Sequence, residues 1–184
     1  MTDQIPPRVT PDRDSRYMGE AWQKAGFSKD PNTQVGAVIV SHDNVPLGAG
    51  YNGPPAVIND MSFSWDRPPK DDPDAFSKYD VVDHAEINAI EYSMCNDLSG
   101  STMYVTALPC PRCMLRIVRN RIRRVVYFDF QSHSNSILQN NKLRDKTFRI
   151  AQLGHVHLDK FQGNLNWMLD WNKKLQDLGV FSIS

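Results

Sequence analysis

Four residues in two short segments have the types and spacing to hold a metal ion and activate water. His84 and Glu86 lie two residues apart, and Cys110 and Cys113 follow as a Cys-x-x-Cys pair. A histidine and two cysteines are typical zinc ligands, and a structural zinc site usually completes its shell with a fourth protein ligand. No fourth Cys or His stands beside either segment. The motif therefore predicts a zinc site with one position open to water, next to a carboxylate, as in a hydrolase.

Both segments fall where the sequence predicts that helices begin. One helix is expected over 84–94, with Asp83 as its cap, and another over 110–120, where Pro111 fits an early helical position. The free N–H groups at a helix N-terminus lower the pKa of a nearby thiol and favour the thiolate, which is the form that binds metal. A zinc ion would then join two helix ends at one edge of the fold.

The predicted chemistry is hydrolysis at a carbon that carries an amine. Zinc held by three protein ligands lowers the pKa of its water toward neutrality, and Glu86 would pass the water proton to a ring nitrogen and then to the leaving amine. Attack at C4 of a cytosine ring would release ammonia. The pattern His-x-Glu followed by Pro-Cys-x-x-Cys is typical of zinc deaminases that act on nucleobases. A redox Cys-x-x-Cys and a purely structural zinc knuckle are the alternatives, but neither explains all four residues.

The composition excludes several other classes of protein. The 184 residues are 40% hydrophobic and 23% charged, which is enough to form a core without disulfides. Lys plus Arg and Asp plus Glu both number 21, so there is no net positive charge to attract a polynucleotide. Neither a membrane-spanning apolar run nor a signal peptide is predicted. Three cysteines, two of them in a metal-type pair, favour a reducing compartment, and a cytoplasmic location is expected.

The elements that must position the site follow from the hydrophobic periodicity. Besides the two helices above, the sequence predicts a helix over 14–26, strands over 35–40, 47–51, 102–107 and 124–130, helices over 134–153 and 164–178, and a short strand at 155–158. This order predicts an α/β fold with helices on both faces of one sheet. Residues 1–13 are expected to form a flexible arm. Residues 14–184 would form one domain with a long insertion at 54–83 and a C-terminal helical extension.

Further segments narrow the interpretation, because together with the zinc motif they resemble the deoxycytidylate (dCMP) deaminases of the cytidine deaminase-like superfamily. They are the sequence SKDPNTQVGA at 28–37, GYNGP at 50–54, HAEINAI at 84–90, MYV at 103–105 and PCPRC at 109–113. The resemblance runs from about residue 14 to about residue 130. It implies a three-layer αβα fold around a mixed five-stranded sheet, one catalytic Zn²⁺ ion per chain, and conversion of dCMP to dUMP for thymidylate synthesis.

The resemblance also implies roles for residues outside the zinc motif. Asn52, Lys29 and Ala85 are the predicted substrate contacts, because the Asn52 amide can bind sugar hydroxyls and the Lys29 ammonium can bind a phosphate. The segment Gly50, Tyr51, Asn52 and Gly53 is associated with allosteric regulation in the family. Members are often hexamers that dCTP activates and dTTP inhibits, with Mg²⁺ expected alongside a triphosphate effector. A plain turn at Asn52 and a solvated Lys29 are the alternative interpretations.

Two departures limit what the resemblance carries over. The insertion contains no Cys or His, so it cannot hold a second zinc ion, and residues 128–133 do not align with the family pattern. The main alternative function is deamination of another nucleotide, such as dCTP or a 5-substituted dCMP. A nucleic-acid editing deaminase would find support in the arginine cluster between Arg112 and Arg124, but the neutral net charge disfavours it. A non-catalytic subunit would have no use for Glu86.

Overall fold

The computed structural model describes residues 10–128 and 141–178. The helices in these ranges are α1 (Arg13–Ala25), α2 (Lys78–Val81), α3 (Ala85–Glu91), α4 (Pro111–Arg119), α5 (Asn141–Leu153) and α6 (Asn166–Asp177). The strands are β1 (Gly36–Val40), β2 (Pro46–Tyr51), β3 (Thr102–Val105), β4 (Arg124–Tyr127) and β5 (His157–Lys160). Each predicted helix and strand that lies in the described ranges has a counterpart among them.

The five strands form one mixed sheet in the order β2-β1-β3-β4-β5. Strand β1 pairs antiparallel with both β2 and β3, whereas β3, β4 and β5 run parallel to one another. Helix α4 connects β3 to β4. A parallel pair needs such a crossover connection, which is usually a helix. The predicted α/β fold with a mixed five-stranded sheet is confirmed.

Successive residues of a strand point to opposite faces of the sheet. Helices cover both of these faces, so the domain has two apolar cores. One core lies between the sheet and α1, and its buried members are Tyr17, Met18, Ala21, Val38, Val40, Tyr104, Val126 and Phe161. The other lies beneath α3, α4 and α5, and includes Ala37, Ile39, Ala85, Ala89, Met103, Val105, Met114, Ile117, Val125 and Ala151. The three-layer arrangement fixes α3 and α4 side by side on one face, with their N-termini toward the same edge of the sheet.

Several element boundaries differ from the sequence prediction by two or three residues, and two of these differences have a clear local cause. Helix α3 ends at Glu91 rather than Met94, because the backbone N–H of Met94 donates to the Leu47 carbonyl of β2 (3.1 Å). Strand β5 begins two residues later than predicted. The chain is still turning at His155, whose φ is 53°. Residues 134–140 of the predicted helix at 134–153 lie outside the described residues, as do residues 129 and 130 of the predicted strand at 124–130.

The insertion is closed at its base by a short antiparallel bridge between Gly53 and Asp83. Each backbone N–H donates to the other residue's carbonyl, at 3.1 Å. The sequence prediction missed α2 near the end of the insertion. This single turn is capped by Ser77, whose backbone N–H donates to the Asp80 carboxylate (2.8 Å). The bridge and the helix hold the far end of the insertion close to α3.

The described part of the N-terminal segment leads directly into α1. Asp12 caps this helix by accepting from the backbone N–H of Ser15 (2.9 Å). Residues 1–9 of the predicted flexible arm lie outside the described residues. Within residues 10–128 and 141–178, none of the helices is both long enough and apolar enough to cross a bilayer.

Candidate active site

A pocket opens at the sheet edge where α3 and α4 begin. The empty space within it, including open solvent at its mouth, is about 880 Å³. The polar lining residues are Asp30, Thr33, Asn52, Arg67, Lys78, Tyr79, His84, Glu86 and Cys110. They come from the loop before β1, the end of β2, the insertion, and the starts of α3 and α4. The pocket thus joins the predicted zinc motif to the insertion.

The three predicted metal ligands converge at one point beside this pocket. His84 and Cys110 are the N-cap residues of α3 and α4, and Cys113 lies in the first turn of α4. The Nδ1 atom of His84 lies 3.6 Å from Cys110 Sγ and 3.3 Å from Cys113 Sγ, and all three ligand atoms lie within 4.8 Å of one another. Tetrahedral zinc with bonds of ~2.1 Å to nitrogen and ~2.3 Å to sulfur separates its ligands by about 3.6 Å. The cluster therefore fits a zinc ion.

The charge state of this cluster also suits a divalent cation. Hydrogen bonding to Cys113, followed by that to His84, lowers the pKa of Cys110 to about 4. Hydrogen bonding to Cys110 raises the pKa of His84 to about 9. The pKa of Cys113 is raised, first by its hydrogen bond to Cys110 and then by burial. A second thiolate beside the first is unfavourable unless a cation lies between them, and a bound metal ion supplies that charge.

Glu86 is a buried carboxyl group that lines the pocket beside the ligand cluster without being part of it. Its exposure is 4%, and the ligand cluster found among the described residues contains His84, Cys110 and Cys113 only. Burial raises the pKa of Glu86, and the proximity of His84 opposes that rise. A carboxyl group with a raised pKa can both accept and release a proton near neutral pH. The arrangement provides one proton carrier beside one metal site.

Asn52 lines the pocket, but its side chain also holds the neighbouring loop. Its Oδ1 accepts from the backbone N–H of Val35 (2.8 Å), and its Nδ2 donates to the Thr33 carbonyl (2.9 Å). Each of these atoms keeps one further hydrogen-bonding position for a ligand. Ala85 is fully buried and also lines the pocket. The structure therefore brings both residues to the same cavity as the zinc cluster.

The residues around Asn52 that were predicted for effector binding have clear packing roles. A Cβ atom at Gly50 would lie 2.4 Å from the Ala89 backbone nitrogen and 2.7 Å from the Ala85 carbonyl oxygen, so only glycine lets β2 approach α3 this closely. Tyr51 is 40% exposed, and its ring lies 6.1 Å from that of Phe27. Gly53 forms the bridge at the base of the insertion. The effector role of these residues stays a prediction.

Lys29 lies outside the pocket lining. Its Nζ atom forms an ion pair with Asp60 of the insertion, and its side chain is 67% exposed. Within the described ranges, the ammonium of Lys29 thus has a carboxylate partner on the protein surface. Its predicted contact with a substrate phosphate stays a prediction.

Sequence reasoning missed three polar residues that shape the pocket. Asn88 of α3 donates through Nδ2 to the carbonyl of Tyr51 (2.8 Å) and ties the end of β2 to α3. Lys78 of α2 binds both carboxylate oxygens of Asp30, at 3.0 and 2.8 Å, in a buried ion pair. Arg67 of the insertion lines the pocket and is exposed to solvent. Asn88 could have been found as a polar residue in a buried helix, but nothing local marks the other two.

The fold and the ligand cluster define a metal-binding α/β domain, and comparison with known sequences assigns this domain to a family. The chain belongs to the family described as the cytidine and deoxycytidylate deaminase zinc-binding region, whose model matches residues 11–129. The human deoxycytidylate deaminase is 39% identical over 119 residues, which are 65% of this chain and 66% of that protein. A probable deoxycytidylate deaminase of Caenorhabditis elegans is 44% identical over 102 residues, which are 55% of this chain.

The extent of the match differs among relatives. The chain spans about half of the worm protein (50%) and 66% of the human protein. It spans 94% of the deoxycytidylate deaminase of Mycobacterium phage D29, with 38% identity over 122 residues. Among solved structures, the dCMP deaminase of cyanophage S-TIM5 in complex with dCMP and dUMP superimposes with a TM-score of 0.61. That match covers 84% of this chain and all of the phage chain at 23% identity, and it establishes the shared fold.

Proposed function

We propose that this protein is a zinc-dependent dCMP deaminase that converts dCMP and water to dUMP and ammonia. The observation that carries the proposal is the position of Glu86, buried in the pocket wall beside the cluster of His84, Cys110 and Cys113. A structural zinc site has no need of a buried carboxyl group next to its ligands. The choice of dCMP as substrate is supported by the relatives that are named deoxycytidylate deaminase.

His84, Cys110 and Cys113 would hold one zinc ion per chain. When bound, zinc would acidify a water molecule and so make it a nucleophile at neutral pH. The protein contributes the positions of the ligands, since each lies at the start of a helix that packs on the sheet. The helix N-termini favour the thiolates that the metal requires.

Glu86 would move the protons of the reaction. Its carboxylate accepts a proton from water and transfers it to the ring nitrogen N3. It then carries the remaining proton of the same water oxygen to the amine, which leaves as ammonia when the C4–N bond breaks and the C4 carbonyl forms. Both transfers need a group whose pKa lies near the working pH, and burial moves the pKa of Glu86 upward in that direction. The raised pKa therefore suits a residue that acts in turn as base and acid.

The remaining lining residues would orient the nucleotide. Asn52 keeps one donor and one acceptor free for sugar hydroxyls, and Ala85 offers a small buried surface next to Glu86. Lys29 stays a predicted phosphate contact whose ammonium pairs with Asp60 in the free protein. Residues 14–184 would act as one domain, with 54–83 as an insertion that completes the pocket.

Regulation, assembly and location extend this proposal and rest on the family resemblance. We expect a hexamer in the cytoplasm whose activity rises with dCTP and falls with dTTP, with Mg²⁺ bound alongside the triphosphate. Gly50, Tyr51, Asn52 and Gly53 would take part in effector binding. The packing of Gly50 against α3 supports a route for such a signal, since α3 carries Glu86.

The arginine cluster gives little support to a polynucleotide substrate. Arg116 pairs with Glu91 (2.5 Å), and Arg124 binds both carboxylate oxygens of Asp14 (2.8 and 2.7 Å). Arg123 donates to the carbonyl of Gly154 (3.3 Å). These arginines are engaged within the protein, so the cluster has less charge to offer to a phosphate backbone.

The test is a direct assay of substrate choice. Zinc-loaded protein is incubated with dCMP, dCTP, 5-methyl-dCMP, deoxycytidine and cytosine in parallel, and ammonia release is measured. We expect kcat/KM to be highest for dCMP. Preference for dCTP or for the 5-substituted nucleotide would replace dCMP as the substrate while keeping the mechanism. No turnover of any compound by protein that contains one zinc ion per chain would refute the proposal.

A further inference from the structure

Arg67 stands out among the charged residues of the pocket because the described part of the chain offers it no ion-pair partner. Its side chain lines the pocket and is exposed to solvent. Within residues 10–128 and 141–178, its guanidinium group has neither a hydrogen bond nor an ion-pair partner. An arginine that faces a cavity without a partner is available to bind an anion, since its planar fork of donors matches the oxygens of a phosphate.

A second pocket-lining cation, Lys78, already has a carboxylate partner. Lys78 also lines the pocket, but both oxygens of Asp30 bind its Nζ atom, and both side chains are almost fully buried. At the metal end, a bound zinc ion would offset the charge of the two cysteine thiolates. Among the described residues, Arg67 is therefore the pocket-lining cation left to attract an anionic group of a ligand, at the insertion end of the pocket.

The insertion that carries Arg67 is anchored to the domain at both of its ends. The reciprocal hydrogen bonds of Gly53 and Asp83 close the base of the loop. The buried pair of Lys78 and Asp30 fixes α2 to the loop before β1, and Asp30 also accepts from the backbone N–H groups of Asn32 (2.9 Å) and Thr33 (3.2 Å). The segment that carries Arg67 is thus held between the base of the loop and α2.

We propose that Arg67 binds the 5′-phosphate of the substrate and makes the site selective for a nucleoside monophosphate over the free nucleoside. The inference rests on the proposed function, and it assigns the phosphate to a residue of the insertion. The base lies at the metal end, beside Glu86, and the phosphate lies at the mouth. The insertion then determines which ligand the pocket accepts, while α3 and α4 determine what happens to its base.

The test compares two replacements of Arg67 with a matched control. Arg67→Met removes the charge and keeps an unbranched side chain, and Arg67→Lys restores one charge. Lys70→Met removes a cation from the same loop at an exposed position outside the pocket lining. We measure kcat/KM for dCMP and for deoxycytidine, and the Kd of dUMP and of deoxyuridine by titration calorimetry.

Loss of a charge-assisted contact with phosphate should lower kcat/KM for dCMP and weaken dUMP binding by on the order of 100-fold in Arg67→Met. Values for the two nucleosides should not change. Arg67→Lys should recover part of the loss, and Lys70→Met should behave as wild type. Equal losses for nucleotide and nucleoside, or unchanged dUMP binding in Arg67→Met, would overturn the assignment. If wild-type protein deaminates nothing, the proposed function fails, whereas dUMP binding still tests Arg67.

Discussion

The two ends of the pocket are built in different ways. At the metal end, Glu86 and Cys113 are buried, and they belong to helices packed on the sheet. At the mouth, Arg67 is exposed and belongs to an insertion that is mostly irregular, with α2 as its short helical turn among the described residues. The metal end is held by a large apolar core, whereas the mouth is held by a few polar contacts. Reaction chemistry needs fixed geometry, and ligand selection can be served by a loop on a rigid scaffold.

Metal removal should separate the two ends most clearly. Dialysis against a chelator should abolish deamination and speed hydrogen exchange at the starts of α3 and α4, because the ion joins His84 to Cys110 and Cys113. Exchange in residues 54–82 should stay unchanged. The measurement is hydrogen–deuterium exchange read by mass spectrometry, with zinc re-addition as the control. Faster exchange confined to the insertion would contradict the division.

Glu86→Gln should affect chemistry alone. We expect kcat to fall by about 10³-fold, because the amide cannot carry a proton between water and the base. Zinc content should stay at one ion per chain, since Glu86 lies outside the ligand cluster. Glu91→Gln, at the exposed end of the same helix, is the control and should keep full activity. A Glu86→Gln protein with near-normal turnover would show that another group moves the protons.

Lys78→Met should test how the mouth is held. The variant leaves Asp30 buried without its partner, which costs about 3–5 kcal/mol in the free energy of unfolding. Lys29→Met breaks the exposed pair with Asp60 and should leave stability nearly unchanged, since surface ion pairs contribute little. Urea unfolding measures both. Equal stability of the two variants would contradict the anchoring role of Lys78, and a raised KM in Lys29→Met would support its predicted phosphate contact.

Gly50→Ala should test the close contact between β2 and α3. Its new Cβ would overlap the backbone of α3, so we expect a loss of about 1–3 kcal/mol in stability, as for other overpacked sites. Gly53→Ala is the matched control, because the nearest atom to its Cβ would be 3.4 Å away in the Tyr51 ring. Thermal unfolding with and without dCTP measures both. A stable Gly50→Ala variant that no longer responds to dCTP would favour the effector role over packing.

The sequence was most informative where function depends on local spacing. His84 and Glu86 on one helix, and Cys110 and Cys113 on another, could be recognised because the metal requires thiolates and an imidazole at helix starts. The sheet followed from apolar strands such as 36–40, whose five residues are all buried. The burial pattern and the hydrophobic periodicity are properties of short segments, so the sequence alone was enough to predict them.

The residues at the mouth could not be found in the same way. Lys78 and Asp30 are 48 residues apart, and their pairing depends on how the insertion returns to the domain. Arg67 is one of 21 basic residues, and nothing around it in the sequence distinguishes it. The start of β5 was misplaced because the left-handed conformation of His155 extends the preceding turn. Long-range pairing and single-residue turns are set by tertiary structure, which periodicity does not report.

The reciprocal bond between Gly53 and Asp83 has a consequence for how such proteins diversify. Because the chain leaves and re-enters the domain at this bridge, the part of the insertion that precedes α2 can change in length at little entropic cost, while the pair of Lys78 and Asp30 keeps α2 in place. That part of the insertion is a replaceable module. Exchange of that module between relatives would be an economical way to evolve or engineer a new substrate preference around an unaltered reaction centre.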